Sequence, residues 1–434
     1  GGAPRELAAD LSGADVSPDG ARIAVVRGGP EDRVEMPPGH EIYHAPARIS
    51  GLRLSPAGDR VAFFEHPVPG DDRGSVVTVT SGGERTALSE GWASLEGLAW
   101  GPDGTEVWFT GARVGADSAL HAVSLAGEER VVTRGPGRLV LHDLRSDGAA
   151  LIERTTRRVE LRGLFPGDEA ERDLSWLDLT FLTDLAPDGR SVVFSESGEG
   201  GGAAYGVYLR PTDGGPPVRL GDGRAMTRSP DGRWVLSVPL FGPPRIVALP
   251  TGPGEPRTMA TGLTRHAWAV WFPDGASILF AAAAPGQALR VYVQDLAGGS
   301  PRPVTENAAL LAGLVQPDGR RVLTRRPGFK GEWHFDRLDA PGRERAPLQP
   351  LDRPLAFTPD GRALLVQPPW RSGPIVVDRV DLATGTREPH RELPVADPAL
   401  LGHVASLRMT ADGLWYAYSA HRHLSDLYLV RGLR

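Results

Sequence analysis

His40-Glu41-Ile42-Tyr43-His44 places two histidines four residues apart, with a glutamate beside the first. On a helix that spacing puts both imidazoles on one face, where they converge on a zinc ion and the glutamate serves as general base. Pro37, Pro38 and Gly39 precede the pattern and Pro46 follows it, so no helix of useful length fits. The segment reads instead as the third strand of a sheet. On a strand the histidines lie ~13 Å apart, at ~3.3 Å per residue, whereas zinc needs each nitrogen at ~2 Å. His421 and His423 share one side of an extended segment and have no evident third ligand, so they read as solvated loop histidines. Arg325, Arg326 and Lys330 make a small basic loop, solvated by default and suited to an acidic ligand as the minority reading. Gly198, Gly200, Gly201 and Gly202 precede a strand instead of a helix, which argues against a phosphate cradle. Trp92, Trp100 and Trp108 read as packing aromatics.

Other chemistries lack their residues. No Gly-x-Ser-x-Gly elbow occurs, and no Walker glycine–lysine pair, His-Arg-Asp loop or Asp-Phe-Gly. The chain has no cysteine, which removes disulfides, thiolate metal sites and a cysteine nucleophile. No catalytic residue, metal or cofactor is expected. With 48 basic and 54 acidic residues the net charge is −6, so a generally basic nucleic-acid binder is excluded. No apolar run approaches the ~18 residues that a membrane helix needs.

The elements that would position any site come from a repeat. Ser17-Pro18-Asp19-Gly20 recurs in related form as Ser55-Pro56-Ala57-Gly58, Gly101-Pro102-Asp103-Gly104, Arg145-Ser146-Asp147-Gly148 and Ala186-Pro187-Asp188-Gly189. It continues as Ser229-Pro230-Asp231-Gly232, Phe272-Pro273-Asp274-Gly275, Gln316-Pro317-Asp318-Gly319, Thr358-Pro359-Asp360-Gly361 and Thr410-Ala411-Asp412-Gly413. The glycines stand 38 to 52 residues apart, and a period of roughly 40–45 is that of propeller blades. Proline presets φ, aspartate bonds the neighbouring backbone and glycine takes the positive φ of a tight turn. Three residues after each glycine stands Ile23, Val61, Val107, Leu151, Val192, Val235, Ile278, Val322, Leu364 or Tyr416, a core position in ten units out of ten.

One unit resolves into strand A at 267–272, strand B at 277–282, a loop at 283–287, strand C at 289–296 and strand D at 301–305. The chain holds 55 glycines and 40 prolines, a composition for turns and short strands. The fold class is therefore all-β: a β-propeller of ten ~42-residue four-stranded blades. Two rings are favoured, with 1–172 supplying four blades of a possibly incomplete ring and 173–434 a six-bladed propeller. The alternative is one closed ten-bladed propeller over 1–434. The start resembles a C–D turn and 426–430 reads as strand C, so the N-terminus could add the outer strand of the last blade.

The Ser-Pro-Asp-Gly hairpin followed by Ile-Ala-Val or Val-Val-Phe resembles the TolB-type, WD-repeat-like blade, without the Trp-Asp of ordinary WD repeats. Residues 65–75, 90–100, 171–179, 195–210 and 424–434 look like the extracytoplasmic propeller of transmembrane serine/threonine protein kinases of the acidobacterial type. The resemblance implies a kinase domain and a membrane helix upstream, about two further repeats before Gly1, and an extracytoplasmic location. It implies a non-catalytic sensor or recognition region for an unknown protein, peptide or small-molecule ligand, with no nucleic acid. Membrane association would come only through that upstream helix. The alternatives are a soluble periplasmic TolB-like scaffold for protein partners and, less favoured, a propeller associated with a hydrolase or lyase activity.

Antiparallel order puts the A–B and C–D turns on one face and the B–C and D–A loops on the other. The A–B turns are uniform, whereas the B–C loops at 65–74, 195–204, 324–332, 367–374 and 420–424 vary. Variable loops on a rigid scaffold are where binding usually lives. The ligand-binding candidates on that face are Glu196, Arg326, Trp370, Arg371, His421 and His423.

Overall fold

In the computed structural model the described residues are 6–28, 31–46, 48–68, 71–115, 117–259, 262–285, 287, 289–304, 311–325, 331–340, 342–369, 373–394 and 401–433. The Asp-Gly turns come first, because they make everything else regular. At residues 229–234 the Gly232 N–H donates to the Ser229 carbonyl at 2.8 Å. The Arg233 N–H and the Ser229 hydroxyl both donate to Asp231 Oδ1, at 3.0 and 2.6 Å. These bonds hold the Asp231 carboxyl below its usual range, the serine bond first. The glycine of each of the ten motifs sits at φ between 66° and 79°, a region glycine enters without steric cost.

Each turn launches a strand that is apolar on both sides. In Ser277–Ala283, Ile278, Phe280 and Ala282 pack toward the sheet of residues 224–259. Leu279 and Ala281 share a cluster with Val322 of the next sheet. Successive side chains of a strand point to opposite faces, so a strand between two sheets must be apolar throughout. Each fully buried leucine, isoleucine or phenylalanine contributes about 1.5–3 kcal/mol of transfer free energy. Eight of the ten residues that stand three after a turn glycine are buried; Ile23 and Leu151 are half-buried. The reason is directional. Ala24 and Val26 face the core of the first two sheets, and Ala150 and Ile152 face that of the third. Ile23 and Leu151 point the other way.

The chain divides into two compact units, residues 1–157 with 423–434, and residues 158–422. In the first unit residues 11–44, 48–92 and 94–133 each form a four-stranded sheet with the strands in chain order. Its remaining strands are Arg138–Leu144, residues 150–157 and residues 423–430. In the second unit residues 180–222, 224–259, 265–303, 311–345 and 353–393 repeat the four-stranded pattern. A further sheet there joins Leu401–Met409, residues 416–422, residues 158–164 and the short Arg172–Asp173. Thr180–Leu185 lies beside Arg224–Arg228, and Leu401–Met409 lies beside both Arg353–Phe357 and Thr180–Leu185. Four-stranded antiparallel sheets with their first strands side by side are the arrangement of a β-propeller.

The fully read unit matches closely: its strands are Arg265–Trp271, Ser277–Ala283, Leu289–Asp295 and Arg302–Pro303. Two expectations need correction. Glu41–His44 is the fourth strand of its sheet, because Arg33–Glu35 already occupies the third place. Residues 420–424 are not a loop: Tyr416–Val430 runs unbroken for 15 residues, and its part 423–430 stands third in its sheet after Arg138–Leu144 and residues 150–157. It contains neither proline nor glycine to interrupt it. Residues 423–430 have residues 150–157 beside them on one side; the N-terminal strand expected on their other side falls on residues 1–5, which lie outside the described residues.

Innermost strands share one irregularity. In the second unit the register shifts between Leu182 and Asp184, Ala225 and Arg228, His266 and Trp268, Leu311 and Leu314, Pro354 and Ala356, and Val404 and Ser406. A bulge bends a strand and frees backbone groups from the ladder. Neighbouring arginines use those groups: Arg408 Nε donates to the Thr183 carbonyl at 2.7 Å, and an Arg353 guanidinium nitrogen donates to the Val404 carbonyl at 2.9 Å.

Candidate functional site

Among the described residues the B–C segments differ in how they are built. In the first unit Arg73 donates through its backbone N–H and its Nε to Asp71 Oδ1, at 2.8 and 2.9 Å. His66 bridges the Arg73 carbonyl at 3.0 Å and Ser50 Oγ at 2.6 Å. Burial holds its imidazole below the usual histidine range. Arg138, itself buried, reaches Asp72 at 3.0 Å and Glu96 at 2.6 Å. The segment is thus tied to its own scaffold by charge pairs.

In the second unit Glu196 ends Ser191–Glu196 and is completely buried. It accepts the Leu179 N–H and the Thr180 hydroxyl, both at 2.8 Å. Burial raises its carboxyl above the ordinary range against the pull of those bonds. Glu196 therefore anchors the loop from beneath. The glycines that follow serve close approach: a Cβ on Gly198 would lie 2.0 Å from Asp178 Oδ1. Residues Glu199–Ala204 form a short 3-10 turn, and the Tyr208 hydroxyl donates to the Gly200 carbonyl at 2.8 Å.

His421 and His423 fall in different units. His421 meets Phe181 edge-on, with ring centroids 5.7 Å apart. His423 Nε2 lies 3.3 Å from Glu153, which also binds His142 at 2.8 Å. The other pair behaves as a strand requires: His44 Nε2 contacts Glu31 at 2.6 Å and its Nδ1 lies 3.5 Å from Glu41. Among the described residues no three His, Asp or Glu side chains gather as a metal site. Trp92, Trp100 and Trp108 are buried in the first unit. Arg326, Lys330, Trp370 and Arg371 lie outside the described residues.

What the sequence did not single out is a polar group on the sheets of residues 311–345 and 353–393. Arg325 and Trp333 are paired across Arg321–Arg325 and Trp333–Arg337, with the guanidinium 5.4 Å from the indole centroid. One Arg325 nitrogen donates to the Pro350 carbonyl at 2.7 Å. Arg325 Nε, Trp333 Nε1 and Gln367 Oε1 are buried and have no hydrogen-bond partner. Burial, and then the charge of Arg353, hold the Arg325 guanidinium below its usual range. Gln367 pairs across its own sheet with Arg353, which is exposed. Neighbouring acids are already engaged: Asp352 by Arg387, Glu332 by Arg345 and Asp336 by Arg343. Buried polar atoms without partners are rare in native proteins and call for an explanation.

No protein-family model matches the chain, and no curated protein matches it. Among solved structures, TolB from Acinetobacter baumannii is similar over 74% of this chain and 75% of its own, at 16% identity and a TM-score of 0.34. A prolyl endopeptidase is similar over 86% of this chain and 54% of its own, at 14% identity and a TM-score of 0.32. The tricorn protease is similar over 95% of this chain and 46% of its own, at 13% identity and a TM-score of 0.28. The chain thus spans about half the length of each peptidase. Among the described residues no helix is long and apolar enough to cross a membrane.

Proposed function

We propose that this chain is a recognition propeller whose second unit takes a ligand on the face that carries its B–C segments. One observation supports the reading above others. The turn glycines of the ten motifs share one conformation, whereas the B–C connections range from the 3-10 turn after Glu196 to the unbroken strand at His421. Invariant turns serve the scaffold and varied segments serve recognition. In the finer form of this reading, the chain is the sensor region of a bacterial receptor-type serine/threonine kinase, as the resemblance of residues 65–75, 90–100 and 171–179 suggests. The ring belonging to it is residues 158–422. Hydrogen exchange of the purified chain with a pooled peptide library tests the binding face: protection is expected in 326–332 and 368–374. Protection confined to the A–B turns would defeat the reading. Deleting the propeller from the full-length kinase tests the sensor role, which fails if kinase output is unchanged under every stimulus.

A scaffold for protein partners is the second reading. Its support is on residues 423–430 of the first unit, where Leu424, Leu427, Tyr428 and Leu429 are exposed. Exposed apolar side chains in a contiguous row mark interaction surfaces. Loss of partner capture in a Leu424→Ser, Leu427→Ser, Leu429→Ser chain would favour it over the ligand reading.

A further inference from the structure

We propose that Arg325 and Trp333 hold a carboxylate group of the ligand. The inference rests on the loop-face reading above and adds the chemical class of what binds there.

Two unsatisfied donors define the requirement. Arg325 Nε and Trp333 Nε1 are buried without acceptors, and Trp333 is only 4% exposed. Their side chains belong to directly opposed residues, so one small acceptor can serve both. A water molecule would satisfy the hydrogen bonds and leave the charge uncompensated. Asp352, Glu332 and Asp336 are committed to other arginines. An acceptor that carries negative charge would satisfy both donors and the guanidinium together.

Carboxylate fits better than phosphate. Its two oxygens lie in the plane of a guanidinium and can be shared between two donors. The wall beside it is apolar: Trp333, Phe335, Leu348 and Val366 form one cluster. A singly charged delocalised group loses less hydration there than a phosphate carrying nearly two charges.

The test follows the indole N–H of Trp333 by NMR, assigned with Trp333→Phe among ten tryptophans. The probes are succinate, inorganic phosphate and one tetrapeptide with either a free or an amidated C-terminus. A saturable shift with succinate or with the free-acid peptide is expected, and the tighter of the two identifies the source as a free acid or a chain end. Arg325→Gln should weaken that binding about tenfold or more. Arg325→Lys keeps the charge, guards against misfolding and should weaken binding less. A Trp333 signal unmoved by every carboxylate, or moved equally by phosphate, overturns the proposal. Protection of 326–332 by the peptide pool without movement of Trp333 would overturn it while leaving the loop-face reading intact.

Discussion

Ser419 Oγ accepts the backbone N–H of Leu182 at 2.7 Å, across 237 residues of sequence. The same hydroxyl donates to the Thr180 carbonyl at 2.9 Å. One side chain thus satisfies a donor and an acceptor of Thr180–Leu185, and both Ser419 and Leu182 are buried. The strand that carries Ser419 is fastened to Thr180–Leu185 by this hydroxyl.

Removing it should loosen that unit. Ser419→Ala leaves the Leu182 N–H buried without a partner, which costs about 1–3 kcal/mol. Ser419→Thr keeps the hydroxyl but adds a methyl to a packed site, so it tests geometry and hydrogen bonding together. Denaturant titration reads both. A stability for Ser419→Ala equal to the parent would show that the bond contributes nothing net.

Gly97 and Gly20 have nearly the same backbone, φ 73° and 71°, in different surroundings. A Cβ on Gly97 would lie 2.2 Å from the Leu141 carbonyl oxygen, and on Gly20 it would meet nothing within 4 Å. Gly20→Ala carries only the left-handed penalty of about 1–2 kcal/mol. Gly97→Ala adds displacement of a neighbouring strand and is expected to cost clearly more, roughly 3 kcal/mol or above. Thermal melts of the two variants decide the order.

Glu171 accepts the hydroxyls of Tyr416 at 3.0 Å and Tyr418 at 2.9 Å. Burial raises its carboxyl above the ordinary value of 4.5 in spite of those bonds. A raised carboxyl binds its proton more tightly in the folded chain, so stability falls as pH rises from about 4.5 through the folded value. Glu171→Gln has no such slope. The variant should gain on the parent between pH 4 and pH 7 in urea denaturation. A constant difference across that range would mean that the carboxyl is not perturbed.

His266 acts in the opposite sense. Burial pushes its imidazole from 6.5 down to about 4, and its Nε2 has no partner. Below pH 6.5 the unfolded chain takes up a proton that the folded chain refuses until about pH 4. Stability is therefore lost as pH falls through that window. His266→Gln should flatten the loss. An NMR titration placing His266 near its ordinary value would remove the basis of this expectation.

Much of this molecule was readable without coordinates. The Pro-Asp-Gly motifs determine turns through local chemistry alone: an aspartate acceptor, a preset φ and a glycine. Ile278, Leu279 and Phe280 announce a strand covered on both faces. Such signals depend on residues a few positions apart, so a linear string contains them. Tertiary structure decided the rest. Tyr416–Val430 reads as two strands by its place in the repeat, yet it pairs as one long strand, because its neighbour is the equally long Ala150–Leu164. Glu196 reads as a loop residue, and its burial depends on Leu179 and Thr180, a strand away. Arg325 carries its own signal as one of three clustered basic residues. Trp333, Arg353 and Gln367 carry none, since a tryptophan, an arginine and a glutamine at strand ends are ordinary. Only the pairing that sets Trp333 opposite Arg325, with both donors buried and without acceptors, makes a candidate site of those two.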